Sequence, residues 1–188
     1  ANPLWKSTGR LEWRDETLQR SYLSTLGVAR KISQSWTFLG RNYFQYNDRR
    51  DTKDGFQNRL QLGAAYRDTN TNRWNWLGRY EFKLENNPST GVQLGGVPVT
   101  IANNLGASAI SAETLNRRVH IVSTHADYPP SRPWWLSGQY AAKHVREQFV
   151  EVKDAYFAQL MSGRVTYDIT ERWDVGLAAR VLANRGFS

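Results

Sequence analysis

The chain contains no cysteine among its 188 residues. Disulfides and thiolate metal sites are therefore excluded, and the fold must be held by packing and backbone hydrogen bonds. Histidine is scarce as well, with 3 residues. On a strand, the spacing of His120 and His125 places their rings on opposite faces. The sequence thus predicts no metal site, and no cofactor is expected.

Long apolar runs are also missing, so no segment approaches the roughly 20 apolar residues of a transmembrane helix. Acidic residues are outnumbered, with 17 Asp and Glu against 25 Lys and Arg, which gives a net charge of +8. A net positive charge of this size makes nucleic acid a candidate partner. The basic residues are spread along the chain and do not form a patch, so we predict no nucleic-acid partner.

Alternation of apolar and polar residues is the dominant pattern, and it is clearest in two runs at 56–67 and 74–85 around the polar turn 68–73. Phe56, Leu60 and Leu62 share one parity, whereas Gln57 and Arg59 share the other. This period of two is that of a β-strand. Each run matches the roughly 9–11 residues that cross a bilayer and exceeds the usual 5–6 of a soluble strand. The pair alone fits either a transmembrane or a soluble hairpin.

The same alternation recurs along the chain and predicts nine strands in a single domain, 1–188. The further strands are expected at 5–14, 19–31, 35–47, 117–128, 134–146, 155–167 and 173–184. Turns at 32–34, 68–73, 129–133 and 169–172 are short, and the connections at 48–55, 87–115 and 147–154 are longer. Short turns on one rim and long loops on the other are typical of outer-membrane barrels. We therefore predict an all-β, antiparallel up-and-down transmembrane β-barrel, with 87–115 as a long extracellular loop.

Tyrosine and tryptophan recur beside the short turns, where amphipathic rings would lie at a membrane–water boundary. The predicted interface aromatics are Trp36, Tyr66, Trp74, Tyr128, Trp134, Tyr167 and Trp173.

Charged residues occupy the opposite parity and are predicted to face the lumen. They are Arg10, Glu12, Arg14, Arg41, Arg59, Arg79, Glu81, Lys83, Lys143, Arg164, Asp174 and Arg180. A ladder of ion pairs that locks the barrel is one interpretation. A water-filled pore that favours anions is the other.

Ser123, His125 and Asp127 share one face of a strand and raise the question of catalysis. Neighbours on one face lie about 6.6 Å apart along a strand, which is long for a nucleophile–base hydrogen bond. The GxSxG pattern of a nucleophile elbow is also missing. We predict that the protein is not an enzyme.

The segments YRDTNTNRWNW, YPPSRPWW, YDITERWDV and GLAARVLANRGFS together resemble the β-barrel module at the C-terminal end of large Gram-negative outer-membrane surface proteins. The resemblance implies a location in the bacterial outer membrane and a role as membrane anchor or translocation unit for surface-exposed parts. It also implies contact with outer-membrane lipid and lipopolysaccharide, with the barrel-insertion machinery during assembly, and with other envelope protein chains as candidate partners.

The strand count departs from that family, because bacterial single-chain barrels have even numbers of strands. The predicted strands also do not include a final strand that ends in an aromatic residue, which that family uses for insertion, so we expect an incomplete barrel with at least one further strand after Ser188 and favour three. Two alternative functions remain open at this point. One is a passive, anion-leaning porin-like channel, and the other is a soluble ligand-binding β-barrel.

Overall fold

The computed structural model describes residues 4–50, 53–86, 93–94, 97–98, 116–148 and 153–187. The regular secondary structure of these residues consists of β-strands. The strands are β1 (Trp5–Asp15), β2 (Gln19–Lys31), β3 (Trp36–Arg49), β4 (Gly55–Arg67), β5 (Asn75–Asn86), β6 (Gln93–Leu94), β7 (Val97–Pro98), β8 (Asn116–Tyr128), β9 (Trp134–Gln148), β10 (Lys153–Thr170) and β11 (Trp173–Phe187).

Nine of these strands form one sheet in the order β1-β2-β3-β4-β5-β8-β9-β10-β11, and β6 pairs only with β7. Every neighbouring pair in the large sheet is antiparallel. The predicted all-β antiparallel sheet of nine strands is thus confirmed. β1 and β11 are its two edges. Since the number of strands is odd, the two edge strands run in the same direction.

Seven of the nine strands of the sheet are longer than the alternation predicted, and β2 and β5 have the predicted length. β3 continues to Arg49, because the polar residues after Tyr46 still pair with β2 as far as Gln19. β4 begins at Gly55, which pairs with Asn47 of β3. β11 continues to Phe187, so the last strand ends in an aromatic residue, contrary to the expectation. β9 and β10 extend in the same way to Gln148 and from Lys153. The connections 50–54 and 149–152 are therefore short, and the predicted contrast between the rims rests on 87–115 alone. Most of that segment lies outside the described residues.

The sheet is curved, with its charged face on the inside. The five buried residues of the described chain all lie on that face by strand register: Ser21, Gly55, Glu81, Val119 and Val145. Lys6 of β1 and Gln139 of β9 also line one cavity. In a flat sheet these strands would lie about 29 Å apart, so the sheet must curl to bring them together. We call this face the concave face and the opposite one the convex face.

The convex face carries most of the exposed large apolar side chains. Leu62 is 48% exposed, Met161 61% and Leu177 77%. Among the strand residues, only Leu39, Leu77, Trp135 and Leu182 are large, exposed hydrophobic residues of the concave face. The apolar surface of this protein is therefore on the outside of the curved sheet. Within the described residues no helix has the length and hydropathy to cross a membrane.

Candidate functional site

The charged residues selected from the sequence all lie on one face of the sheet. Strand register places each of them on the concave face: Arg10, Glu12, Arg14, Arg41, Arg59, Arg79, Glu81, Lys83, Lys143, Arg164, Asp174 and Arg180. Alternation alone was sufficient to group them, because a period of two assigns the face without knowledge of the strand order. Which of them contact one another depends on register and on side-chain rotamers.

Glu81 is the centre of the best-ordered group. Its side chain is 5% exposed, and Arg59 Nε lies 2.7 Å from its Oε1 atom. The amide of Gln61 donates to the other carboxylate oxygen, Oε2, at 2.8 Å. Both oxygens of this buried carboxylate are thus satisfied across the β4 and β5 strands, as a buried charge requires.

A second charge cluster lies in the row of residues next to the connections 87–115 and 149–152. Lys83 Nζ contacts Glu85 Oε1 at 2.5 Å, and Arg117 contacts Glu85 at 3.6 Å and Glu147 at 2.8 Å. The cluster joins β5, β8 and β9 through alternating charges. Arg117 was not predicted to face the lumen because the pattern of β8 is mixed, and Glu147 was not predicted because 147–154 was assigned to a connection.

The charges of β1 form a separate group at the edge of the sheet. Glu12 accepts from Arg10 at 2.5 Å and also contacts Arg14. Both arginines are more than half exposed, so this group contributes little to stability. It does show that β1 presents the same alternation of charge as the central strands.

Three further cations surround the cavity of the concave face. Its volume is about 550 Å³, and Lys6, Arg41 and Arg79 line it together with His125. Within the described part of the chain none of these three cations has an ion pair, and no carboxylate lines the cavity. Small or apolar residues provide much of the remaining lining, namely Thr8, Gly27, Ala29, Leu39, Gly63, Leu77 and Ser123, and the amides of Gln61 and Gln139 complete it on the polar side.

The cations of the later strands make weaker contacts. The Lys143 ammonium lies 5.6 Å from the centre of the Tyr156 ring, and Arg164 Nε donates to the Thr166 hydroxyl at 3.3 Å. Asp174 and Arg180 lie on β11, at the edge of the sheet. The concave face therefore divides into a paired region around Glu81 and Glu85 and a cationic region around the cavity.

The predicted interface aromatics gather along the rim formed by the turns 32–35, 68–74, 129–133 and 171–172. Trp36 contacts Tyr66 with ring centres 5.0 Å apart and Trp76 at 5.9 Å. Trp74 stacks on Tyr128 at 4.3 Å, and Trp134 packs edge-on against Tyr167 at 4.7 Å. Trp173, at the start of β11, is 73% exposed. Six of the seven predicted residues thus pack against an aromatic ring from the neighbouring strand or from the turn beside it.

A second aromatic row crosses the convex face near the opposite rim. Strand register aligns Trp13 with Tyr22, Tyr22 with Tyr46, and Tyr46 with Phe56. The rings of Tyr22 and Tyr46 are 6.3 Å apart. Ten residues separate the two rows on β3, from Trp36 to Tyr46. That distance is about 33 Å along the strand and about 25 Å along the axis of a barrel whose strands tilt by about 40°.

The convex surface between these rows is apolar. On β3 and β4, which carry both rows, no Asp, Glu, Lys or Arg faces outward between the rows. Two amides do lie there, and Asn42 Nδ2 donates to Asn58 Oδ1 at 2.9 Å. Their polar groups are thereby partly satisfied within the apolar surface.

The turn between β4 and β5 is shaped by Asp68. Its carboxylate accepts from the Thr71 hydroxyl and from the backbone N–H groups of Asn70 and Thr71 at 3.0 and 3.1 Å. These hydrogen bonds, that of the Thr71 hydroxyl first, hold the pKa of Asp68 below its usual value. Asn72 adopts a φ of 54°, a left-handed conformation that asparagine tolerates better than most residues. The turn thus fixes the register of the two strands it joins.

Ser123, His125 and Asp127 share the concave face, as the spacing required. His125 Nε2 lies 3.1 Å from Asp127 Oδ2. Within the described residues the Ser123 hydroxyl makes no hydrogen bond to His125. His120 lies on the other face, where its Nδ1 is 2.9 Å from the Tyr80 hydroxyl. These groups form two separate pairs.

The geometry combines three features: a charged, partly filled concave face, an exposed apolar convex face, and aromatic rows near both rims. These features can separate an aqueous space from an apolar surrounding and can hold an anion in the cationic region. Comparisons with protein-family models, with curated proteins and with solved structures find no match to this chain.

Proposed function

We propose that the chain is an integral outer-membrane β-barrel, or most of one, that serves as a membrane anchor or translocation unit for surface-exposed parts. The convex face would contact lipid, and the concave face would enclose water and ion pairs. The proposal has two parts with separate support. Membrane insertion is supported by the arrangement of the side chains, and the anchoring role by the resemblance of the turn motifs.

The observation that carries the proposal is that a carboxylate is buried on the concave face while large apolar side chains are exposed on the convex face. Glu81 is 4% exposed, whereas Leu177 on the convex face is 77% exposed. A soluble protein in water buries its large apolar side chains and exposes its carboxylates. A transmembrane strand does the reverse, because its outward residues contact hydrocarbon.

The dimensions of the apolar surface agree with this proposal. The axial separation of about 25 Å between the two aromatic rows equals the height of the apolar band of outer-membrane barrels. Exposed large apolar side chains of the convex face occur on eight of the nine strands of the sheet. An exposed apolar surface of this width is unusual for a soluble monomer, in which the largest apolar patch is about 300–600 Å². A soluble ligand-binding barrel is therefore the less favoured alternative.

Ion pairing on the concave face favours an anchor over an open channel. Glu81, Glu85 and Glu147 are each held by basic groups of the same or neighbouring strands, which connects adjacent strands and fills space. The cavity beside Arg41 and Arg79 favours the second candidate function, a passive channel that prefers anions. No catalytic role is proposed, since in the described part of the chain Ser123 makes no hydrogen bond to His125, and a nucleophile needs such a bond to a base.

Folding into lipid tests the first part directly. The urea-unfolded chain is diluted either into vesicles of phosphatidylcholine or into buffer without lipid and detergent. We expect β-sheet circular dichroism, flotation with the vesicles and resistance to carbonate extraction in the first case, and aggregation in the second. A stable, folded monomer in plain buffer would contradict membrane insertion and favour the soluble barrel.

A further inference from the structure

We infer that the cavity of the concave face is a binding site for a small organic anion with an apolar body, such as an aryl or alkyl carboxylate. This inference goes beyond the anchoring role and does not depend on it. It requires only that the concave face be accessible to water. Three independent features of the cavity point to such a ligand: unpaired cations, an apolar lining and a suitable size.

The first feature is positive charge that has no ion-pair partner among the residues that the structure describes. Arg41 lies on β3 and Arg79 on β5, and both face the same cavity as Lys6 of β1. Glu81 is the nearest carboxylate in sequence to Arg79, but both of its oxygens are engaged by Arg59 and Gln61. The three cations therefore leave a net positive field that a bound carboxylate would neutralise. Arginine suits this role because its planar group binds carboxylates through two parallel hydrogen bonds.

The positions of the two arginines permit a shared ligand. Arg41 pairs in register with Gln61, and Arg79 pairs with Gly63 two residues further along the same strand. Their Cα atoms are thus about 12 Å apart, from two strand spacings and two residues of rise. Arginine side chains are long enough to converge over Gly63 from either side.

The lining between the cations is mostly small or apolar, with the amide of Gln61 beside Arg41. Gly27, Ala29 and Gly63 leave the space open, and Leu39 and Leu77 provide apolar walls. Ligand sites of this kind combine mostly apolar walls with a few charged groups that orient the ligand, in volumes of about 300–1,000 Å³. The cavity of about 550 Å³ falls within that range. An anion without an apolar part would make no favourable contact with these apolar walls.

The experiment uses three probes that share one apolar body and differ in charge: 4-(trifluoromethyl)benzoate, the corresponding benzyl alcohol and the corresponding benzylamine. Binding to the full chain in a zwitterionic detergent is followed by ¹⁹F NMR, with the same micelles without protein as the blank. We expect saturable binding of the benzoate alone. The double variant Arg41→Gln, Arg79→Gln should weaken it at least about tenfold, since each charge-assisted hydrogen bond contributes about 1.5–3 kcal/mol.

A cavity-filling variant tests the site without a change in charge. A Cβ atom at Gly63 would lie 3.5 Å from Leu39 Cβ and 3.6 Å from the Gly78 carbonyl oxygen, which are ordinary contacts. Gly63→Leu should therefore fold and lose benzoate binding. The matched control is Gly138→Leu on the convex face, where a Cβ would meet no atom within 4 Å, and it should bind as the parent does.

Arg164→Gln is the matched control for charge, because Arg164 lies on the concave face but does not line the cavity. Equal binding of the alcohol and the benzoate would overturn the inference, as would unchanged benzoate binding in the double variant or in Gly63→Leu. Circular dichroism of each variant shows whether the sheet is retained. Vesicle insertion is measured separately, so a chain that inserts without binding the benzoate refutes this inference and leaves the anchor proposal intact.

Discussion

Replacing Arg59 by alanine is expected to destabilise the folded sheet by about 3 kcal/mol. The change removes the cation 2.7 Å from Glu81, whose side chain is 5% exposed, and leaves the carboxylate with the single N–H donor of Gln61. Removing one partner of a buried ion pair costs about 3–5 kcal/mol, because the remaining charge is uncompensated. The lower end is expected here, since Arg59 is itself 44% exposed.

Urea unfolding in lipid vesicles, followed by the fluorescence of the 8 tryptophans, measures this loss. Glu81→Gln is the informative companion, because it removes the buried charge while an amide still bonds to Gln61. We expect it to cost under about 1 kcal/mol and to restore most of the stability when combined with Arg59→Ala. Additive losses in the double variant would show that Arg59 and Glu81 do not act as a pair.

Replacing Met161 by arginine is expected to destabilise the protein in a bilayer by about 2–4 kcal/mol. Met161 lies near the middle of β10 on the convex face and is 61% exposed. An arginine at the midplane of a transmembrane barrel loses its hydration to hydrocarbon, and the cost falls towards the rims. The same substitution at an exposed site in water would change stability by no more than about 0.5 kcal/mol.

The neighbouring residue supplies a matched control. Ser162 faces the concave side of β10 opposite Gln139, so an arginine there would remain hydrated. We expect Ser162→Arg to be nearly neutral when both variants are unfolded by urea in the same vesicles. Equal effects at the two adjacent positions would contradict a lipid-facing convex surface.

Much of the fold followed from the alternation of residue types. A period of two is strong enough to locate strands in long runs such as 56–67, and it assigned Arg59, Arg79 and Arg180 to one face without any pairing information. The aromatic residues beside the turns were also predictable, because Trp36 begins a strand and Tyr66 lies one residue before a strand end, each next to a short connection.

The limits of that reasoning have physical causes. Strand ends at Arg49 and Gln148 were not predicted, because polar residues extend a ladder wherever the neighbouring backbone offers partners. The cavity could not be predicted either. It depends on Gly27 and Gly63 coming close to Arg41 and Arg79 across four strands, a juxtaposition set by register and curvature.

Single-cysteine spin labelling along β10 tests the central claim most directly, and the lack of native cysteine makes every label unique. Nitroxides placed one at a time at positions 157–166 in vesicles are probed with oxygen, which concentrates in hydrocarbon, and with a water-soluble nickel chelate. The account predicts high oxygen and low nickel accessibility at odd positions and the reverse at even positions. Odd positions shielded from both reagents, with even positions open to the nickel chelate, would mean that the apolar residues pack in a dry interior and would contradict it.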